Sequence, residues 1–137
     1  MSAAVEYINP PGACPAQGLY SHVGRVEGGT LLFVAGQLSV AADGTVAGTG
    51  DFATQFRQVF ANLGDVLKGM DCTFNDVIKF TTYLVHSQDI DSFMTLRAEL
   101  FPKLFKGPLY PPNTLLVIDR LVKEPFLIEV EAVVRGR

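Results

Sequence analysis

In Phe126-Leu-Ile-Glu-Val-Glu-Ala-Val-Val134 two carboxylates stand two residues apart. On a strand, Glu129 and Glu131 share one face at about 7 Å, while Phe126, Ile128, Val130, Ala132 and Val134 make the other face wholly apolar. A carboxylate in a partly desolvated cleft is raised in pKa and serves as a base or holds a water for attack. On a solvated face, or paired with a neighbouring Arg, it does no chemistry. A second stretch, Tyr110-Pro-Pro-Asn-Thr-Leu-Leu-Val-Ile118, fixes its entry with two prolines. It thereby presents Asn113 and Thr114, an amide and a hydroxyl suited to hydrogen-bonding a ligand, at the mouth of a strand.

Other patterns offer less. Gly48-Thr-Gly50-Asp-Phe-Ala53 imitates a dinucleotide fingerprint, but it follows a loop-like run rather than a buried strand. The chain is also too short for two nucleotide-binding halves, so the segment reads as loop and helix cap. His22 and His86 complete no Ser/His/Asp arrangement and no metal pair. Cys14 and Cys72 match no metal spacing. Cys72 reads as a buried thiol, and Cys14 has no basic neighbour in sequence to activate it. Neither a metal nor an organic cofactor is implied.

The elements that must position these groups follow from periodicity. Val5 to Ile8 and Ser21 to Val26 read as short strands around a Pro/Gly-rich loop, and Glu27-Gly28-Gly29 turns the second into Leu31 to Gln37 as a hairpin. Phe52, Phe56, Val59, Phe60, Leu63, Val66, Leu67 and Met70 repeat at helical spacing, with Asp51 placed to cap the start. Val77 to Val85 is a strand with Ile78, Phe80, Thr82 and Leu84 on one face. A second helix runs from about Asp89 to Leu104, burying Ile90, Phe93, Met94, the stem of Arg97, Leu100, Phe101 and Leu104; Pro102 should shorten or kink it. Thr114 to Leu121 and Phe126 to Val134 complete the order, joined by a turn at 122–125.

This order predicts one α/β (α+β) domain over residues 1–137, with two helices on one face of a sheet. Leu31-Leu-Phe-Val34 and Leu115-Leu-Val-Ile118 are apolar at consecutive positions, as in strands buried on both faces. With no third helix to cover the second face, a homo-oligomer is expected, the alternative being a chain bent tightly enough to cover itself. The totals agree: 48% hydrophobic and 18% charged residues describe a globular chain. A net charge of −3 with scattered Lys and Arg gives no footprint for nucleic acid. No apolar run approaches the roughly 20 residues that span a bilayer. The first residues lack a signal-peptide pattern. A soluble cytoplasmic protein without nucleic-acid or membrane partners is the expectation.

Gly18-Leu-Tyr-Ser-His22, Leu31-Leu-Phe-Val-Ala-Gly-Gln37, Asp76-Val-Ile-Lys79 and Ile128-Glu-Val-Glu-Ala132, in this order of elements, resemble the Rid family, also called YjgF-type or endoribonuclease L-PSP proteins. The likeness covers nearly the whole chain. It implies a chorismate-mutase-like fold (bacillus type) forming a homotrimer around a central β-barrel, with three ligand clefts between subunits. It also implies hydrolysis of reactive imines or enamines to a carbonyl product and ammonia. In such members an Arg opening the strand after the prolines holds the substrate carboxylate, a Glu on the last strand positions the water, and a Tyr of the N-terminal loop lines the cleft. Carried over singly, the Glu is Glu129 and the Tyr is Tyr20 by its sequence context, or His22 by counting back from Gly36-Gln37 without a gap.

The Arg position is Asn113. A charge-assisted bond of roughly 1.5–3 kcal/mol is lost with each contact that the guanidinium would make, which weakens a plain 2-imino acid about tenfold or more. Ala35 stands where a Ser is frequent, and Leu115 where a Cys is frequent, so the pocket is greasier and suits a bulkier substrate. The resemblance therefore implies a deaminase of altered specificity, with Asn113, Thr114, Ala35, Gly36 and Leu115 around the ligand. The alternatives are a trimer that binds a small metabolite without turning it over and, less in keeping with the acidic balance, an endoribonuclease or translation inhibitor.

Overall fold

The computed structural model describes residues 5–137. Strands β1 (Val5–Ile8) and β2 (Val23–Val26) pair antiparallel. After them come β3 (Thr30–Gln37), helix α1 (Phe52–Gly69), a 3-10 turn (Phe74–Asp76), β4 (Val77–Leu84), α2 (Asp89–Leu104), β5 (Asn113–Val117) and β6 (Ile128–Gly136). The main sheet has the order β3-β6-β4-β5, with β4 and β5 parallel across α2 and the other pairs antiparallel. Both helices lie against one face, an α+β arrangement in agreement with the expectation.

The hairpin expected between β2 and β3 does not form a ladder: β2 pairs with β1 instead. Gly28 and Gly29 do turn the chain with positive φ, but Gly24 of β2 sits so close to the Ile78 carbonyl that no side chain fits there. That contact draws β2 toward the start of β4. A register shift between Val77 and Lys79 is the second departure. The bulge leaves Ile78 only half-buried and turns Val77 into the core, with Phe80, Thr82 and Leu84 as anticipated.

α1 begins with Asp51 accepting from Thr54 N and Thr54 Oγ1, the cap read from the sequence. Its Phe56 and Phe60 meet Phe93 and Phe101 of α2 and Phe80 of β4 in tilted and edge-on pairs. Such pairs add about 0.5–1.5 kcal/mol each beyond the area they bury. α2 is not shortened by Pro102; it reaches Leu104, where Phe105 N donates to Phe101 O at 2.9 Å. Leu96 takes the buried place expected for Met94, which is exposed at the helix edge.

The polar tethers fix the loops. Gln55, fully buried, donates to Gly48 O and Pro125 O (3.1 and 2.8 Å) and accepts from Leu127 N at 2.8 Å. It thus pins the segment that leads into β6. Cys72 is buried as expected and Cys14 is exposed. Among the described residues no helix is long and apolar enough to cross a membrane, and no three His, Cys, Asp or Glu side chains gather as a metal site.

Candidate functional site

β6 alternates as its sequence requires. Ile128, Val130, Ala132 and Val134 are buried under the helices, and Glu129 and Glu131 project from the opposite, open face. Glu129 lies across from Tyr83, and Glu131 across from Thr81. The Tyr83 hydroxyl donates to Glu131 Oε1, and this bond, with burial second, raises the tyrosine pKa. Glu129 is flanked by the bulge of β3 at Ala35 and Gly36: a Cβ at Gly36 would run into the Glu129 carboxylate. Burial, then repulsion from Glu131, raises the Glu129 pKa, and no hydrogen bond offsets the rise. The result is a base of raised proton affinity on an accessible face.

Around these carboxylates the open face is apolar. Leu31, Phe33 and Leu116 are exposed on it, Phe33 to 77%. Thr114 also points here, across from Thr81. The pleat therefore separates Thr114 from Asn113, two residues that the sequence presents side by side.

Asn113 faces the helices. It pairs with Phe80 in the β4–β5 register, and the buried Thr82 hydroxyl donates to its Oδ1 at 2.7 Å. Here β5, α2 and the N-terminal loop form a partly open hollow of about 210 Å³ lined by Gln17, Tyr20, Met94, Arg97, Asn113 and Leu115. The Tyr20 hydroxyl accepts from Gln17 N at 3.1 Å, which closes the loop over the cavity. His22 stands behind Tyr20, its ring edge-on at 6.2 Å and its Nε2 bonded to Cys14 O at 2.6 Å. Of the two residues left open by the sequence, Tyr20 lines the cavity and His22 supports the loop.

The structure thus brings Tyr20, Asn113 and Leu115 together on one side of the sheet and Glu129, Gly36, Ala35 and Thr114 on the other. Sequence reasoning missed Tyr83 and Arg97 as site residues. Alternation along β4 was the signal for Tyr83. For Arg97 it was a charge on the apolar stripe of α2. Larger hollows of about 300 and 350 Å³ lie over α1 and α2, and another of about 330 Å³ lies between β1 and residues 106–109. None of the three is lined by a residue that the sequence put forward for the site.

Comparison with known proteins places this geometry. Residues 12–135 match the family described as Endoribonuclease L-PSP. The chain is 32% identical over 126 residues to the RutC family protein YjgH of Escherichia coli, covering 91% of this chain and 92% of that one. It is 30% identical over 134 residues to 2-iminobutanoate/2-iminopropanoate deaminase of Rattus norvegicus, covering 97% and 92%. A crystal structure of the Rid family protein YyfB from Yersinia pestis superposes with a TM-score of 0.85 at 30% identity, over 96% of this chain and 98% of that chain.

Proposed function

The chain belongs to the endoribonuclease L-PSP family, the Rid or YjgF-type proteins, and from that premise we propose that it hydrolyses a reactive imine or enamine to a carbonyl compound and ammonia. The observation that carries this reading is Glu129: a half-buried carboxylate of raised pKa on an accessible face, with a second carboxylate beside it. The deaminase name of the rat relative supports the same reaction class. Glu129 takes a proton from water as its oxygen bonds to the protonated C=N carbon. It then returns the proton to nitrogen, and as the C–N bond of the carbinolamine breaks the hydroxyl proton passes to the departing ammonia. Water is consumed, the nitrogen leaves as ammonium, and the carboxylate is regenerated.

The active unit in this proposal is a homotrimer. Its support is twofold: the open face exposes Leu31, Phe33 and Leu116, and within one chain the sheet separates Glu129 from the Tyr20–Asn113 cavity. A second copy docked on that face brings its own Glu129 to the first copy's cavity. Asn113 and Leu115 then set the specificity, which differs from that of members with an Arg at the strand entrance.

The test is to generate acidic, aliphatic and aromatic imines freshly in the presence of the pure protein and to time carbonyl-product release. Release should be fast with the wild-type chain and fall to background with Glu129→Ala. Release unchanged by that substitution, or absent for every imine, sinks the reading; saturable binding without release would identify a metabolite-binding trimer instead.

A further inference from the structure

Asn113 deprives the strand entrance of a cation, yet the same cavity holds one from another element. Arg97 rises from α2 and is only 2% exposed. Among the described residues it forms no ion pair. Its one hydrogen bond runs from Nη2 to the Met94 sulfur at 3.0 Å, a weak acceptor for a group with five donors. Two aromatic rings attend it, with Cζ 5.9 Å from the Tyr20 centroid and 5.1 Å from that of Phe93. Rings soften the cost of a buried cation but do not replace an anion. The N-terminal loop is shaped around it: a Cβ at Gly18 would lie 2.6 Å from Nη2. Next to it, Asn113 spends its Oδ1 on Thr82, which leaves its Nδ2 donors for a ligand.

We propose that Arg97 is the specificity-determining anion-binding residue of this pocket, and that the ligand carries one carboxylate gripped by Arg97 together with the Asn113 amide. The carboxylate then sits against α2 rather than at the strand entrance, and the ligand's apolar part meets Met94 and Leu115. This rests on the functional reading above for the site's identity, but not on turnover. A buried guanidinium with free donors matches the planar, bidentate geometry of a carboxylate. A neutral ligand would leave the cation without a counter-charge.

Calorimetric titration of the full chain with 2-oxobutanoate, a stable carbonyl counterpart of an imino acid, and with its uncharged methyl ester tests this without chemistry. The wild type should bind the acid about tenfold or more tightly than the ester. Arg97→Met should erase that preference, the acid-to-ester affinity ratio falling to about one, and Arg97→Lys should keep part of it. Should Arg97→Met fail to fold, Asn113→Asp decides: a carboxylate beside Arg97 should abolish the preference for the acid over the ester. Equal binding of acid and ester by the wild type, binding of neither, or an acid preference that survives either Arg97→Met or Asn113→Asp overturns the proposal. Acid-selective binding with no imine turnover overturns the deaminase reading alone; turnover with no acid preference overturns the role of Arg97 alone.

Discussion

The two faces of the main sheet are cut from the same alternating strands, but only one of them is finished within the chain. On the helix side Phe56, Phe80, Phe93 and Phe101 are sealed from solvent, and the Arg97–Asn113 hollow lies at the edge. On the open side Phe33 and Leu116 remain exposed around Glu129, Glu131 and Tyr83. Stability resides on the first face, where burial is complete. The second joins the two things a lone chain least tolerates, exposed apolar area and a desolvated carboxylate. In the proposed trimer another copy would cover both.

The sharpest way to break this contrast is a charge on the open face. Phe33→Glu should convert the assembly to monomers, read by light scattering during size-exclusion chromatography, and should remove turnover with it. Arg57→Glu, on the exposed side of α1, should change neither. A wild-type chain that is already monomeric at working concentration defeats the contrast.

Glu129→Gln is the next largest. It should lower turnover by about 10²–10⁴-fold, the range for loss of a general base, without loss of thermal stability at neutral pH. The sign follows from its raised pKa: the fold favours the protonated carboxyl. Its contribution to stability is therefore full below the ordinary glutamate range and is lost as pH rises through the raised value. Melting temperatures against pH should show that decline in the wild type and lack it in Glu129→Gln.

Gln55→Leu tests the finished face. It strands Gly48 O, Pro125 O and Leu127 N, now bound at 3.1, 2.8 and 2.8 Å. Each buried group without a partner costs about 1–3 kcal/mol. Differential scanning calorimetry should record a melting temperature lower by roughly ten degrees or more. An unchanged melting temperature would mean that water enters and satisfies those groups.

Much of this division was legible in the sequence. Alternation in β6 separated Glu129 and Glu131 from the apolar positions, and the helical repeat with Asp51 at its head defined α1. The prolines before Asn113 announced a fixed strand entrance. What the sequence hid were events of one residue or one contact. The bulge at Ile78 shifts a strand register by a single position, and nothing in Asp76-Val-Ile-Lys79 marks it. The approach of Gly24 to the Ile78 carbonyl, which takes β2 away from β3, is a long-range contact. Asn113 and Thr114 looked like one recognition unit because they are adjacent, whereas a pleat sends adjacent residues to opposite faces. Arg97 was legible as a charge on an apolar stripe, but its want of a partner depends on what the loop at Gly18 brings to it.

The smallest effect concerns how the open face tunes its base. Two causes raise Glu129: burial first, then the charge of Glu131. Glu131→Gln removes only the second. The acid limb of the pH–rate profile should therefore move to lower pH, because a like charge that opposed ionisation has gone. The limb should not reach the position of an ordinary solvated glutamate, since burial remains. Turnover on the plateau should change little, for the Tyr83 hydroxyl can still donate to the amide oxygen that replaces its carboxylate partner. A limb that stays in place would assign the whole rise to burial, and one that moves upward would contradict the repulsion between the two carboxylates. If turnover instead collapses as it does for Glu129→Gln, the proton-transfer role belongs to the pair, and the open face works as a dyad rather than as one base with a neighbour.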